Sequence, residues 1–183
     1  MSNERTDRAP WTIEDVPVEG VNDLAALGLL TRLENFVEYG DPEAFRADAA
    51  ETFDPAALAG EMDEPGTRFR WVLDDGEPVA YVATDEDPIR GGCDPGIPGR
   101  GLHLHRLYVL GSHQGRGIGR ALLDDTVAYA SRGDRSFIWL CVWDRNPSAM
   151  AFYEHMGLRP FGEHSVDIGR ATIRDVILSL DLR

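Results

Sequence analysis

The chain has 183 residues, a length that suits one domain with a full hydrophobic core better than two domains. Its net charge of −14 argues against non-specific binding to nucleic acid, because such binding depends on neutralising phosphates with basic residues. No apolar stretch reaches the length of a membrane span, and the polar residues 1–10 lack the apolar segment of a secretory signal.

The domain organisation and the cysteines give two further expectations. Residues 1–10 are predicted to form a flexible tail, and residues 11–183 a single domain. Cys93 and Cys141 lack both C-x-x-C spacing and histidine partners, which argues against a zinc site. This spacing also argues against a disulfide framework and fits a reducing compartment, so we expect a cytoplasmic protein without a metal ion.

The N-terminal part of the chain predicts a strand followed by a helix. Residues 11–16 alternate weakly between apolar and polar side chains, as in a strand. Apolar residues at helical spacing then predict a helix with Asn22 or Asp23 as its cap. The apolar face of this helix is predicted to consist of Leu24, Leu27, Leu30 (or Leu29), Leu33 and Val37.

A second helical stretch and a hairpin follow. The Asp-Pro pair at residues 41–42 opens the helical stretch, and the Asp-Pro pair at residues 54–55 interrupts it. Two apolar runs, residues 69–73 and 79–84, flank an Asp-Asp-Gly-Glu sequence that is typical of a tight hairpin turn.

The rest of the chain alternates between strands and helices. The predicted elements are a long loop at residues 85–101, a strand at 102–110, a helix from Gly119, a buried strand at 136–143, a helix at 147–156 and two closing strands at 158–167 and 172–182. This order predicts an α+β fold in which helices flank a mixed sheet.

A glycine-rich turn at residues 114–120, with the sequence Gln-Gly-Arg-Gly-Ile-Gly-Arg, joins the strand at 102–110 to the next helix. Glycine allows a ligand to approach the backbone closely, and the first turn of a helix leaves N–H groups unpaired at the positive end of the helix dipole. The turn therefore predicts an anion site suited to a diphosphate. The alternative is an ordinary turn that caps a helix.

The glycine spacing indicates which diphosphate is bound. The chain contains no lysine, so it cannot form a Walker A loop, and Arg120 stands where a Rossmann fingerprint needs its third glycine. The pattern Gln114-x-x-Gly117-x-Gly119 resembles the coenzyme A pyrophosphate loop of the GCN5-related N-acetyltransferase (GNAT) superfamily. The resemblance extends chiefly over residues 102–158. It implies a mixed, mostly antiparallel sheet with a splayed central strand pair, and acetyl-CoA as the cofactor.

The resemblance also implies which residues hold acetyl-CoA. The pyrophosphate would lie on the loop, and the pantetheine arm would lie along one strand, where the N–H of Val109 would polarise the thioester carbonyl. Asn146 begins a segment that resembles the N-x-x-A-x-x-x-Y pattern of the family, and it would bind the pantetheine amide. The implied cofactor-binding residues are Leu107, Tyr108, Val109, Gln114, Gly115, Arg116, Gly117, Ile118, Gly119, Arg120 and Asn146.

Three side chains are candidates for proton transfer. The resemblance implies that Tyr153 is the general acid that protonates the leaving thiolate, and the alternative is a core aromatic residue whose hydroxyl is satisfied. His103 and His105 are two positions apart on a strand, so both should point to one face, with Arg106 and Tyr108 on the other.

The histidine pair is the candidate for the general base. Many family members have a glutamate where this chain has His105, and the H-x-H pair resembles that of arylalkylamine acetyltransferases. An imidazole suits base work near neutral pH, so we expect His105, or else His103, to deprotonate the amine. The alternative is that both are strand histidines bonded to carbonyl groups.

These features predict an acetyl-CoA-dependent N-acetyltransferase that acts on a primary amine of a small molecule or a peptide. Cys141 lies in an apolar run without an adjacent base, which argues against an acyl-cysteine intermediate and favours direct attack in a ternary complex. The alternatives are a non-catalytic acyl-CoA-binding module and an acyltransferase for protein N-termini. The family resemblance also makes a homodimer possible, and we expect neither nucleic acid nor membrane as a partner.

Overall fold

Helices cover a single mixed sheet in the computed structural model, which describes residues 11–34, 42–86, 96 and 99–182. Within these residues the strands are β1 (Trp11–Asp15), β2 (Thr67–Asp74), β3 (Glu77–Asp85), β4 (Gly101–Val109), β5 (Phe137–Trp143), β6 (Arg159–Ile168) and β7 (Ala171–Asp181). The helices are α1 (Val21–Glu34), α2 (Pro42–Thr52), α3 (Pro55–Asp63), α4 (Ile118–Arg132) and α5 (Pro147–His155). The predicted tail at residues 1–10 and most of the loop at 85–101 lie outside the described residues.

The sheet has the order β1-β2-β3-β4-β5-β7-β6, and among the described strands only the β4–β5 pair is parallel. All the other pairs are antiparallel. The predicted α+β class and the mixed, mostly antiparallel sheet are therefore confirmed.

The helical region between β1 and β2 contains three described helices, so the prediction of two was wrong. The Asp-Pro pair at residues 54–55 does more than interrupt a helix, because it starts a new one. Oδ1 of Asp54 accepts hydrogen bonds from the N–H groups of Ala56 and Ala57, and Pro55 occupies the first helical turn. An Asp cap followed by proline is a strong signal for a helix start.

The buried face of α1 also differs from the prediction. Leu30 and Leu33 are 50% and 39% exposed, and Val37 lies outside the described residues. The helix begins at Val21, directly after a 3₁₀ turn, so neither predicted cap residue precedes it. The residues that α1 buries are Leu24, Ala25, Leu27, Gly28 and Thr31. Gly28, on this face, lets α1 lie close to the Phe53 ring. This contact determines the rotation of α1 about its axis.

The predicted hairpin is confirmed as the turn between β2 and β3. Asp75 and Gly76 have φ angles of 52° and 85°, so both central residues lie in the left-handed region. This is the combination that a two-residue turn of type I′ requires, and it matches the twist of the flanking strands.

The two faces of the sheet bury separate cores. On one face, α4 packs Ile118, Leu122 and Leu123 against the central strands. On the other face, α1 and α3 pack against Trp71 and Tyr81. Helices on both faces hold the central strands in place, including the two that diverge.

The central strands β4 and β5 pair over only three register positions, from Gly101↔Phe137 to His103↔Trp139. Beyond these positions β4 continues to Val109 and β5 to Trp143, but the two strands no longer pair with each other. They therefore diverge at their carboxyl ends. The predicted splayed pair is confirmed. The gap that it opens is where the candidate site lies.

Replacing Gly28 with alanine should destabilise the fold, because an added Cβ would lie 2.4 Å from Cδ1 of Phe53. We expect the free energy of unfolding to fall by about 1–3 kcal/mol, the usual cost of overpacking a core. Gly60 on α3 is the control, since a Cβ there meets no atom within 4 Å. Gly60→Ala should be neutral or stabilising by up to about 1 kcal/mol. Equal urea denaturation midpoints for the two variants would contradict this account of the α1 packing.

Candidate active site

A cleft of about 940 Å³ opens where β4 and β5 diverge. The glycine-rich turn and the start of α4 form one end of the cleft, and α1, α2, β6 and β7 form the other. His103, His105, Tyr153 and Asn146 all line it, so the structure brings the sequence-predicted side chains into one space.

The glycine-rich turn presents a row of unpaired main-chain donors. The N–H of Gln114 donates to the carbonyl of Gly111, and the N–H of Ala121 donates to the carbonyl of Gly117. Between them, the N–H groups from Gly115 to Arg120 have no acceptor within the described ranges of the chain. Unpaired amides at the start of a 15-residue helix form a site that favours an anion.

The backbone of this turn depends on glycine. Gly115 and Gly117 have φ angles of 73° and 83°, in the left-handed region that other residues adopt only at a cost. Gly117 is the cap residue of α4, and no side chain caps that helix or places an acidic group in its first turn. The N–H groups therefore remain free for a ligand.

Asp74, the last residue of β2, anchors the turn through Arg116 and through His113, the residue that precedes the turn. Its Oδ2 is 2.9 Å from Nη1 of Arg116 and 3.3 Å from Nε2 of His113. Arg120 instead lies on the surface, 3.5 Å from Asp124. The hairpin thus fixes the loop, and part of the charge of Arg116 is already balanced.

The end of β4 directs main-chain groups into the gap. The N–H of Leu110 donates to the carbonyl of Val79 on β3. In an antiparallel pair, the N–H and C=O groups of successive residues therefore point alternately to β3 and into the gap. By this alternation the polar groups of Leu107 and Val109 point into the gap, and those of Tyr108 pair with β3. Nε2 of Gln114 donates to the carbonyl of Val109 over 3.2 Å, which ties the turn to the strand.

A β-bulge at His105 changes which side chains share a face. Arg106 pairs with Ala83 and Leu104 pairs with Thr84, which leaves His105 as the extra residue. The rings of His103 and His105 are stacked with centroids 5.3 Å apart, so these two side chains are neighbours as predicted.

The prediction that Arg106 and Tyr108 lie on the opposite face was wrong. Arg106 reaches the same carboxylate of Glu61 as His105 does, at 2.8 Å and 3.2 Å. The hydroxyl of Tyr108 accepts a hydrogen bond from Arg32 of α1 over 3.4 Å, on this same side of the sheet. The bulge reverses the alternation of side chains, and the sequence does not reveal it.

The two histidines differ in their surroundings. The His103 ring is 5% exposed and stacks on Trp139 at 3.9 Å with an angle of 8° between the planes. Burial, together with the charges of His105 and Arg106, lowers the pKa of His103 to about 3. His103 is therefore neutral near pH 7, whereas the side chain of His105 is 37% exposed in the cleft.

Glu61, on α3, remains ionised despite its position. Burial alone would raise the pKa of its carboxyl, but hydrogen bonds from His105 and Arg106 and the charge of Arg106 lower this pKa to about 2. Sequence analysis missed the roles of Glu61 and Asp74, because each contacts residues about 40 positions away, and the hairpin sequence that contains Asp74 does not reveal its distant partners.

Helix α5 carries the two remaining candidates. Oδ1 of Asn146 accepts a hydrogen bond from the N–H of Ala149, so this side chain caps the helix and only its NH₂ group is left for a ligand. Tyr153 is 8% exposed, and its hydroxyl makes no hydrogen bond with the described residues. Burial and the neighbouring phenol of Tyr108 raise the pKa of Tyr153, so the phenol carries its proton near pH 7.

The far end of the cleft carries charges of both signs. Arg32 lies 3.5 Å from Asp48 and sits over the ring of Phe45, 4.9 Å from its centroid. Burial raises the pKa of Asp175, and the positive charges of His164 and Arg32 offset only part of this effect. Such an end could receive a polar substrate that carries a positive charge.

Comparison with known proteins identifies the family. The sequence model of the acetyltransferase (GNAT) family matches residues 30–158, and the chain belongs to this family. An uncharacterized N-acetyltransferase of the pepI 3′ region in Lactobacillus delbrueckii subsp. lactis is 29% identical over 167 residues, which are 91% of this chain and 94% of that protein. Acetyl-CoA is the acyl donor of such enzymes, and the free amides of residues 115–120 fit its diphosphate.

Solved structures show the same fold. The PaiA N-acetyltransferase of Thermoplasma acidophilum, in complex with coenzyme A, has a TM-score of 0.71 and 16% identity, covering 93% of this chain and 98% of that one. The ribosomal-protein-S18-alanine N-acetyltransferase of Escherichia coli has a TM-score of 0.66 and 17% identity, covering 94% of each chain. Within the described part of this chain, no helix combines the length and apolar character that crossing a membrane requires.

The Glu61 carboxylate should stabilise the fold in a pH-dependent way. Its pKa is lower in the folded chain, about 2, than its ordinary value of 4.5, so its contribution is present above pH 4.5 and is lost as the pH falls towards 2. We expect Glu61→Gln to lower the free energy of unfolding by about 1–3 kcal/mol at pH 7. The difference in the free energy of unfolding between the variant and wild type should be smaller by about 1 kcal/mol at pH 3.5. Urea unfolding at several pH values measures the difference in the free energy of unfolding between the two proteins. A difference that is constant with pH would contradict the lowered pKa of Glu61.

Proposed function

We propose that the protein transfers the acetyl group of acetyl-CoA to a primary amine of a small molecule or a peptide. One observation carries the proposal: free main-chain amides from Gly115 to Arg120 lie at one end of a cleft whose other end is lined by charged side chains of both signs. The first feature suits a diphosphate, and the second leaves room for an acceptor. Because both ends belong to one cleft, direct attack in a ternary complex is the simplest mechanism.

Main-chain groups and a few side chains hold the cofactor in this proposal. The amides from Gly115 to Arg120 bind the pyrophosphate, and the polar groups of Leu107 and Val109 that face the gap bind the pantetheine arm as a neighbouring strand would. The NH₂ group of Asn146 binds a pantetheine amide carbonyl. The N–H of Val109 polarises the thioester carbonyl, since it points into the gap and not towards β3.

The proton transfers follow from the side chains. His105 removes one proton from the acceptor ammonium, and the neutral amine then forms the C–N bond to the carbonyl carbon. As the C–S bond breaks, Tyr153 gives its proton to the leaving sulfur, and the second amine proton restores the phenol. The balance is one amide, one thiol and one proton released to solvent from His105. His103 is unsuited to the base role because its burial disfavours the protonated ring.

A panel of acceptors tests the proposal. Release of thiol from acetyl-CoA is followed with small amines, polyamines, aminoglycosides and peptides that begin with alanine or other residues. Turnover with a primary amine supports the proposal, and the best acceptor defines its class. A thermal shift with coenzyme A but no release for any acceptor would favour a non-catalytic acyl-CoA-binding module. Release with peptides alone would favour an acyltransferase for protein N-termini.

The cytoplasmic location and the homodimer that the sequence suggested stay predictions.

Gly117→Ala should weaken binding of coenzyme A. Alanine at a φ of 83° costs about 1–2 kcal/mol, and the turn can relieve this strain only by moving its amide donors. We expect the Kd for coenzyme A to rise about tenfold, as measured by calorimetry. Gly76→Ala is the control, because its φ of 85° imposes similar strain on a turn outside the cleft. A Kd that rises equally in both variants would show a general effect of destabilisation.

Tyr153→Phe should reduce kcat without altering the Kd for coenzyme A. Loss of a general acid typically slows turnover about 100-fold or more, while the phenyl ring keeps the packing around α5. Tyr129→Phe is the control, because this residue lies near the carboxyl end of α4, hydrogen-bonds to Glu86 and does not line the cleft. Turnover by Tyr153→Phe at the wild-type rate would remove Tyr153 from the acid role.

A further inference from the structure

The carboxylate of Glu61 lies directly against the proposed base. Its Oε1 is 3.2 Å from Nδ1 of His105, and its two oxygens accept hydrogen bonds from Nη1 of Arg106 at 3.0 and 2.8 Å. Consecutive residues of a regular strand point to opposite faces, so His105 and Arg106 could not both reach one carboxylate without the bulge. The bulge and α3 together therefore fix the position of the His105 ring.

The contact also determines where the proton of the neutral imidazole resides. An ionised carboxylate only accepts hydrogen bonds, so this hydrogen bond requires Nδ1 of His105 to be the donor. The lone pair of the neutral ring is then on Nε2. This atom makes no hydrogen bond with the described residues, and the ring lines the cleft. Nε2 is thus free to accept a proton from a substrate.

The charged groups around His105 support this arrangement. Glu61 faces the ring from α3, Arg106 and His103 lie beside it on β4, and the buried phenol of Tyr81 on β3 is neutral because burial raises its pKa. Hydrogen bonds from His105 and Arg106, together with the charge of Arg106, keep Glu61 ionised, and the neutral His103 ring stacks on His105 without adding charge. The Glu61 carboxylate is therefore the anion that would stabilise a protonated His105.

We propose that Glu61 is a positioning residue that holds His105 through Nδ1 and so presents Nε2 as the basic atom. The inference rests on the proposed function, and it adds a residue that acts through the base without touching the substrate. In the reaction, Nε2 takes one proton from the acceptor ammonium and later releases it to solvent. Nδ1 keeps its proton throughout, and Glu61 balances the imidazolium charge between the two steps.

A double-mutant cycle tests the role of Glu61. The kcat and kcat/KM values of wild type, Glu61→Gln, His105→Ala and the double variant are measured from pH 6 to 9 with acetyl-CoA and the fastest amine of the panel. We expect Glu61→Gln to lower kcat on the order of 100-fold, because the amide can donate to Nδ1 and favour the wrong tautomer. The KM for acetyl-CoA should stay within about twofold, since the cofactor loop is not involved.

The cycle separates positioning from structural damage. In the His105→Ala background, Glu61→Gln should change kcat by less than about twofold, whereas a purely structural role would lower kcat by the same factor in both backgrounds. Asp63→Asn, an exposed carboxylate on the same helix, is the matched control and should leave kcat and the pH profile unchanged.

A spectroscopic measurement does not depend on the stability of any variant. The ¹⁵N resonances of the histidine rings in the wild-type protein report which nitrogen is protonated, and His105→Ala assigns the signals. We expect the Nδ1–H tautomer for His105 at high pH. Observation of the Nε2–H tautomer would overturn the inference.

The remaining outcomes are distinct. If Glu61→Gln lowers kcat by the same factor in both backgrounds, or lowers it in neither, the positioning role is overturned. The proposed acetyl transfer is unaffected by that result. Full activity of His105→Ala would overturn the positioning role as well, since Glu61 would have no base to position. Absence of turnover by the wild type with every acceptor would contradict the proposed function itself, and the inference would fall with it.

Discussion

The divergence of two parallel strands is the constraint on which the rest of this structure depends. β3 holds β4 along most of its length and β7 holds β5, so neither strand can turn to close the gap between them. Main-chain groups at the end of β4 are consequently left without strand partners on one side. Unpaired backbone groups are costly when buried, so the gap must stay open to solvent or take a ligand that pairs as a strand does. The fold thus creates a binding site from backbone alone.

The anion site at the end of this gap depends on dipoles more than on net charge. The chain has a charge of −14 and no lysine, and Asp74 already pairs with Arg116 of the turn. What remains is a set of fixed N–H groups and the positive end of α4, held by glycines in the left-handed region. Fixed donors need little rearrangement when a ligand binds, so an acidic protein can hold an anion without a basic surface.

The bulge in β4 gives the middle of the cleft its chemistry. It brings His105 beside Arg106 and lets both contact Glu61, while His103 remains in the regular part of the strand and is buried against Trp139. Two histidines with similar sequence contexts therefore differ in solvation, and burial lowers the pKa of His103. One extra residue in a strand, set against a helix that carries a carboxylate, produces this difference.

The sequence by itself determined the order of the strands, the hairpin and the glycine-rich turn, because each depends on local rules of periodicity and turn geometry. It also identified the strand and helix that carry the histidines, Asn146 and Tyr153. Only the tertiary structure decided the rotation of α1, the bulge at His105 and the contacts of Glu61 and Asp74. These features depend on packing between segments far apart in the chain, where a close approach such as that of Gly28 to Phe53 selects one arrangement among several that local patterns permit.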